Sequence, residues 1–123
     1  MNIKNKELGA LAVMYSKVDT SVLGVEHLKQ CVQFQKVLTS RLTELKDYQF
    51  ELFKGYKVKP SQGGVYNWST HKKSSEIDEK VFNLLETNVI LTPVNFIPED
   101  KFYEAFKGLP IAELTVLAKY LVQ

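Results

Sequence analysis

From Val25 to Tyr56 the residues Leu28, Cys31, Gln35, Leu38, Leu42, Leu45, Gln49, Leu52 and Tyr56 recur at alternating steps of three and four, which aligns them as one stripe along an α-helix. At ~1.5 Å per residue this helix is roughly 45 Å long. A chain of 123 residues covers such a length poorly with one short partner, so part of the stripe is expected to meet another chain. Val32, Phe34, Tyr48 and Phe53 flank the stripe and widen it beyond a strict coiled-coil seam. Val37 and Phe50 fall outside even this face and are candidates for a second contact surface, the alternative being isolated exposed apolar residues of the ordinary kind. The expected interface is therefore Leu38, Leu42 and Leu45, with Val37 and Phe50 beside them.

The remaining pattern places shorter elements around this rod. A first helix starting at an Asn2 or Asn5 cap carries Leu8, Leu11, Tyr15 and Val18 on one side, with Ala12 and Met14 next to them. Asp19, Thr20 and Ser21 compete for backbone hydrogen bonds and Gly24 follows, so this helix breaks there. Gly55 is the expected cap of the long helix, and Pro60, Gly63 and Gly64 forbid regular helix after it. Val58, Val65, Tyr66 and Trp68 alternate as short strands would around a Ser61–Gly64 turn, and 88–94 is the other strand-like run. Ser75 with Asp78 has the spacing of a capping box opening a helix through Glu86, whose Ile77, Val81, Leu84 and Leu85 form an apolar face directed at the long helix. Pro98, Glu99 and Asp100 open a short helix to Lys107 that Gly108 terminates, and Pro110 opens a last one carrying Ile111, Leu114, Leu117, Ala118 and Leu121 on one side.

The predicted fold is mainly α: a long helical hairpin with additional short helices and a minor β element, α+β being the alternative. Residues 1–123 form a single helical domain, with 57–73 as a loop within it. At 45% hydrophobic and 24% charged residues this is the composition of an ordinary globular domain. Cys31, the sole cysteine, rules out an intramolecular disulfide and, on the apolar stripe, is expected to be a buried and inert thiol. The apolar stretch from Leu8 to Met14 is too short to span a bilayer, so neither a membrane segment nor a secretion signal is expected.

Charge changes the picture in one place. Between Leu52 and Ser75 stand Lys54, Lys57, Lys59, Lys72 and Lys73 and no acid, so the rest of the chain is net −3 although the whole is +2. Tyr56, Tyr66 and Trp68 are interleaved with these lysines and with His71. Ammonium groups mixed with flat rings hold single-stranded nucleic acid or nucleotides by phosphate attraction and base stacking. The candidate ligand-binding residues are Lys57, Lys59, Tyr66, Trp68, Lys72 and Lys73. Two other readings stand beside this one: rings that pack the loop onto the helices while the lysines solvate it, and a basic loop that meets an acidic patch on a partner protein.

Candidate chemistry is sparse elsewhere. His27 and His71 are the two histidines, and with one cysteine they offer no zinc set and no nucleophile–base pair at a recognisable spacing. Glu99–Asp100 and Glu76, Asp78 and Glu79 stand in the first turns of predicted helices, where the helix dipole accounts for acids. Gly63–Gly64 lacks the lysine and the spaced third glycine of a phosphate-cradling loop. No catalytic residue, cofactor or metal site is expected, and an enzyme is the least favoured class.

The order Ile3-Lys4-Asn5-Lys6-Glu7-Leu8, Tyr15-Ser16-Lys17, a break, a helix with Lys36-Val37-Leu38 and Leu42 ending at Tyr56, then Leu84-Leu85-Glu86, Val89-Ile90-Leu91 and a closing Leu-rich helix resembles small uncharacterised proteins of tailed bacteriophages. The resemblance spans most of the chain as a pattern of apolar positions and helix lengths; 57–73, with Gly63-Gly64-Val65-Tyr66-Asn67-Trp68, departs from it. It implies a phage or prophage origin and a virion or bacterial host cytoplasm as location. It also implies a non-enzymatic task; with the extended stripe and the off-stripe Val37 and Phe50, the role expected is structural or in assembly, exercised by self-association into a homo-oligomer and by docking of other phage or host proteins. The alternative is a small effector that sequesters a host protein, nucleotide or nucleic acid through the basic aromatic loop. No catalytic residue is carried over.

Overall fold

The computed structural model describes residues 2–123 and is mainly helical, with a small two-stranded antiparallel sheet. Strand β1 (Asn2–Lys4) leads into α1 (Asn5–Tyr15), a 3₁₀ turn (Thr20–Val22), the long α2 (Val25–Gly55), α3 (Ser74–Glu86), β2 (Asn88–Ile90), α4 (Glu99–Ala105) and α5 (Ile111–Leu121). The expected class and the long helix are as the hydrophobic pattern predicts.

Helix α1 is the hub, touching α2, α3 and α5. Its Leu8, Leu11 and Tyr15, one face at steps of three and four, are fully enclosed by Cys31, Phe34 and Leu38 of α2, Phe102 and Phe106 of α4 and the turn after it, and Leu117 and Leu121 of α5. Tyr15 meets Phe34 edge to face at 4.9 Å, and its hydroxyl donates to the Cys31 carbonyl at 2.8 Å, satisfying the one polar atom this ring brings inside. Burial pushes that hydroxyl far above the usual phenol range and raises the Cys31 thiol as well, and Cys31 is buried as expected. Asp19 accepts from Ser21 and caps the 3₁₀ turn where the pattern places the break of the first helix.

Five local expectations are corrected. The 58–68 stretch forms no strand. β2 instead pairs antiparallel with β1, with Ile3 opposite Val89, because the first residues, read as a helix cap, are extended. Asn5 does not cap α1 either. It is buried, its side-chain amide donates to the Leu84 carbonyl at 2.9 Å and its backbone N–H to Thr87, so it closes the C-terminal end of α3. The Ser75–Asp78 box is not made: α3 begins at Ser74 after Lys73 with no side-chain cap, and Asp78 accepts the indole N–H of Trp68 at 2.6 Å. Helix α3 packs chiefly on α1 and less on α2 than expected. Helix α4 stops at Ala105, two residues short, with Gly108 at φ +95° in the left-handed turn that follows.

The C-terminal end of α2 also differs from expectation. Gly55 is still helical. The reversal is made at Lys57, φ +60°, where its N–H donates to Lys54 and the Val58 N–H to Phe53 at 2.9 Å. This is a Schellman turn with lysine at the position that ordinarily takes glycine, a conformation costing an L-residue about 1 kcal/mol.

Candidate functional site

The stripe first expected to meet another chain is largely occupied by this one, with Leu28 and Gln35 left exposed. Leu38 is fully enclosed in the core and Leu45 is buried at 9% exposure, while Leu42 and Val37 are half-buried against the core. Four of the five expected interface residues thus turn inward, joined by Phe34 and Phe53 from the flanks of the stripe. Phe50 alone is open, at 53%. The reason is coverage from two sides. Helix α1 packs along the first half of α2, where Tyr120 of α5 also meets Phe34, and residues 56–73 fold back over the second half at Phe53.

That return loop is built on Phe53. Tyr66 stacks on it face to face at 4.1 Å, and Trp68 lies against it at 5.2 Å with its N–H tied to Asp78. His71 accepts the Lys73 backbone N–H at Nδ1, so Nε2 carries the proton it donates to the Tyr56 carbonyl at 2.9 Å. Ser61 and Val65 close the small turn through Gly64, whose φ of +75° needs glycine. Tyr66 and Trp68, expected as stacking platforms for a ligand, therefore have structural duties. Trp68 is committed on its polar edge, and Tyr66 on one face.

The lysines are committed to nothing. Lys54, Lys57, Lys59, Lys72 and Lys73 are exposed and take part in none of the ion pairs among the described residues, which join Lys4 and Lys6 to Glu86, Arg41 to Glu44, and His27 to Glu26. Lys54, Lys57 and Lys59 rim a pocket of about 430 Å³ floored by Phe50, Val58, Pro60 and Tyr66. Lys72 and Lys73 open on a neighbouring depression with Tyr56 and His71. The predicted ligand residues are thus spread over three adjoining depressions: Lys57, Lys59 and Tyr66 share the apolar pocket, Lys57 also lines the second with Lys72 and Lys73, and Tyr66 also lines a third with Trp68 and Asp78. The hydroxyl of Tyr56, beside the Glu76 carboxylate, is raised by desolvation and by that hydrogen bond, so one acid borders the cluster.

A second stripe on α2 escaped the sequence reading. Val25, Leu28, Val32, Lys36, Thr39, Thr43, Lys46, Phe50 and Lys54 are spaced by three or four residues along the whole helix, and all nine are exposed. This outer face has apolar groups at both ends, lysines and threonines between them, and no acid; Asp47 stands at its edge, and Glu26, Glu44 and Glu51 lie about a third of a turn away. Beside its first half runs an apolar groove of about 660 Å³, lined among others by Tyr15, Val18, Leu28 and Val32. The signal was present as spacing, but the apolar members at its centre are replaced by Lys and Thr, so a search for a hydrophobic run passes over it.

No three or more His, Cys, Asp or Glu side chains come together as a metal site among the described residues, and no helix is long and apolar enough to cross a membrane. Comparison with protein-family models, with curated proteins and with solved structures finds no match.

Proposed function

We propose that this protein works without catalysis, as a docking protein that holds an acidic protein partner at the lysine-rimmed pocket ending α2. One observation carries the reading: Lys54, Lys57 and Lys59 stand unpaired around an apolar floor of Phe50, Val58, Pro60 and Tyr66, one of these lysines being held in a strained backbone conformation. Apolar contact gives affinity at such a site, and fixed charge of one sign gives partner choice and steering. Strain retained at a solvent-exposed lysine, where glycine would be free of it, is the pattern of a position kept for its side chain. In keeping with the resemblance to small phage proteins, the setting proposed is a virion or an infected bacterial cytoplasm, with phage or host proteins as partners.

The test is binding of a short Glu- and Leu-containing peptide, measured by fluorescence anisotropy across a salt series. Affinity is expected to fall with salt and to drop about tenfold or more in the Lys57→Glu, Lys59→Glu double variant. Equal affinity for the charge-reversed protein would remove the reading. A second reading, self-association, is favoured by the apolar groove beside Leu28 and Val32; a mass by light scattering that doubles with concentration and reverts in Val32→Glu supports it.

A further inference from the structure

Resting on that reading, we infer that the partner segment is an acidic amphipathic helix lying lengthwise along the outer face of α2, anchored at both ends of it. The two apolar sites on this face are the groove at Leu28 and Val32 and the pocket at Phe50. Val32 and Phe50 are 18 residues apart in one helix, five whole turns, so they point the same way and stand roughly 27 Å apart. Between them the face offers Lys36 and Lys46 with two threonines and no carboxylate. A single side chain or a compact ligand reaches one anchor only. A straight helix of about five turns reaches both, its apolar groups repeating at the same three-and-four spacing.

Charge complementarity selects the occupant. Lys36, Lys46 and Lys54 are exposed and in none of the ion pairs among the described residues, and of the acids of α2 only Asp47 borders the face, so a neutral or basic helix would bury unanswered ammonium groups, whereas glutamates flanking an apolar stripe would meet them. A second copy of this chain fits poorly on these grounds, because its own outer face is basic and like charges would be brought together. Nucleic acid would use the lysines but leave the Leu28–Val32 anchor idle.

The experiment uses the full chain with two probes, a designed Leu/Glu amphipathic peptide of about 22 residues, roughly 33 Å as a helix, and its half-length form of about 11 residues. The variants are Leu28→Ser with Val32→Ser, Phe50→Ser, and Thr39→Glu, all at exposed positions, with circular dichroism to verify the fold. The long peptide is expected to bind at least tenfold tighter than the short one, to lose about tenfold in each of the three variants, and to gain helicity on binding. The short peptide should lose affinity in Phe50→Ser alone. A long peptide indifferent to Leu28, Val32 and Thr39 but still sensitive to Phe50 and Lys57 overturns this inference and leaves the lysine pocket as the docking site. Failure of both peptides to bind removes both. Tighter binding of oligo-dT or of anionic phospholipid vesicles through the same lysines assigns the face to a nucleic acid or a membrane surface and overturns the helix.

Discussion

The two halves of α2 are the same helix in two different situations. Its first half packs on α1 and meets Tyr120 of α5, and the residues gathered there, Tyr15, Phe34, Phe106 and Tyr120 among them, belong to one continuous aromatic and aliphatic core. Its second half has a single layer over it. Leu45, Phe53 and Ile77 are buried yet lie outside the main core, and the cover of Phe53 is the irregular 56–73 loop. A large core fixes shape and tolerates little. A thin cover held by stacked rings leaves lysines free on its outside and makes a surface that is positioned without being crowded, which is where binding residues are useful.

The largest expected effect follows from this contrast. Phe34→Ala should cost about 3–5 kcal/mol and unfold the chain as a unit, seen as a loss of helical circular dichroism at a much lower denaturant midpoint. Phe53→Ala should cost about 3 kcal/mol at most, because the thin cover can relax onto the gap. Its signature is local: amides of 56–73 should exchange with solvent rapidly while those of α1 and α5 keep their protection, and Trp68 fluorescence should shift to the red. Equal loss of protection at both ends would mean that the two clusters are one cooperative unit.

Lys57→Gly separates stability from binding. Relieving the left-handed lysine should raise stability by about 0.5–1 kcal/mol, while removal of its charge weakens an acidic peptide several-fold. A variant whose stability and peptide affinity both match the parent would show that Lys57 is unstrained and idle.

The smallest effect sits at the opposite corner. Glu86 accepts from Lys4 at 2.6 Å and from Lys6, which hold its carboxyl below the usual carboxylate range and raise Lys4 in turn. Stability from a lowered carboxyl is present above its ordinary titration range and lost as pH falls through the folded value; that from a raised lysine is present below its ordinary range and lost as pH climbs through the folded value. Both are intact at neutral pH. Glu86→Gln should therefore lower the melting temperature slightly at pH 7 and not at all in acid, the difference between the two proteins closing as pH falls.

Much of the fold was legible because it rests on spacing. The stripe Cys31, Leu38 and Leu42 faces the core and Leu45 is buried beyond it, and the breaks at Asp19 and after Gly55 are where competing side chains and glycine place them within a residue or two. What sequence could not give was partner choice. Three-residue strands carry too little pattern to reveal that 2–4 pairs with 88–90, and nothing local tells Asp78 to take Trp68 instead of capping its own helix. The size of the cover was misjudged for a related reason: 56–73 has no periodicity, so its capacity to bury Phe53 and help enclose the second half of α2 was invisible, and the stripe looked too long for one chain. The basic cluster was legible as charge. Which lysines share a pocket required the turn at Lys57, whereas the exposed second stripe on α2 was present as spacing and was passed over because its centre is Lys and Thr.

The claim that α2 spends one face on its own core and keeps another free is tested most directly by solvent paramagnetic relaxation of methyl groups in the isolated chain. With a soluble gadolinium agent, the methyls of Val25, Leu28 and Val32 should relax strongly while those of Leu38, Leu11 and Leu117 stay protected, at all protein concentrations. Protection of Val25, Leu28 and Val32 to the level of Leu38 would mean that the outer face is already closed, and would contradict it.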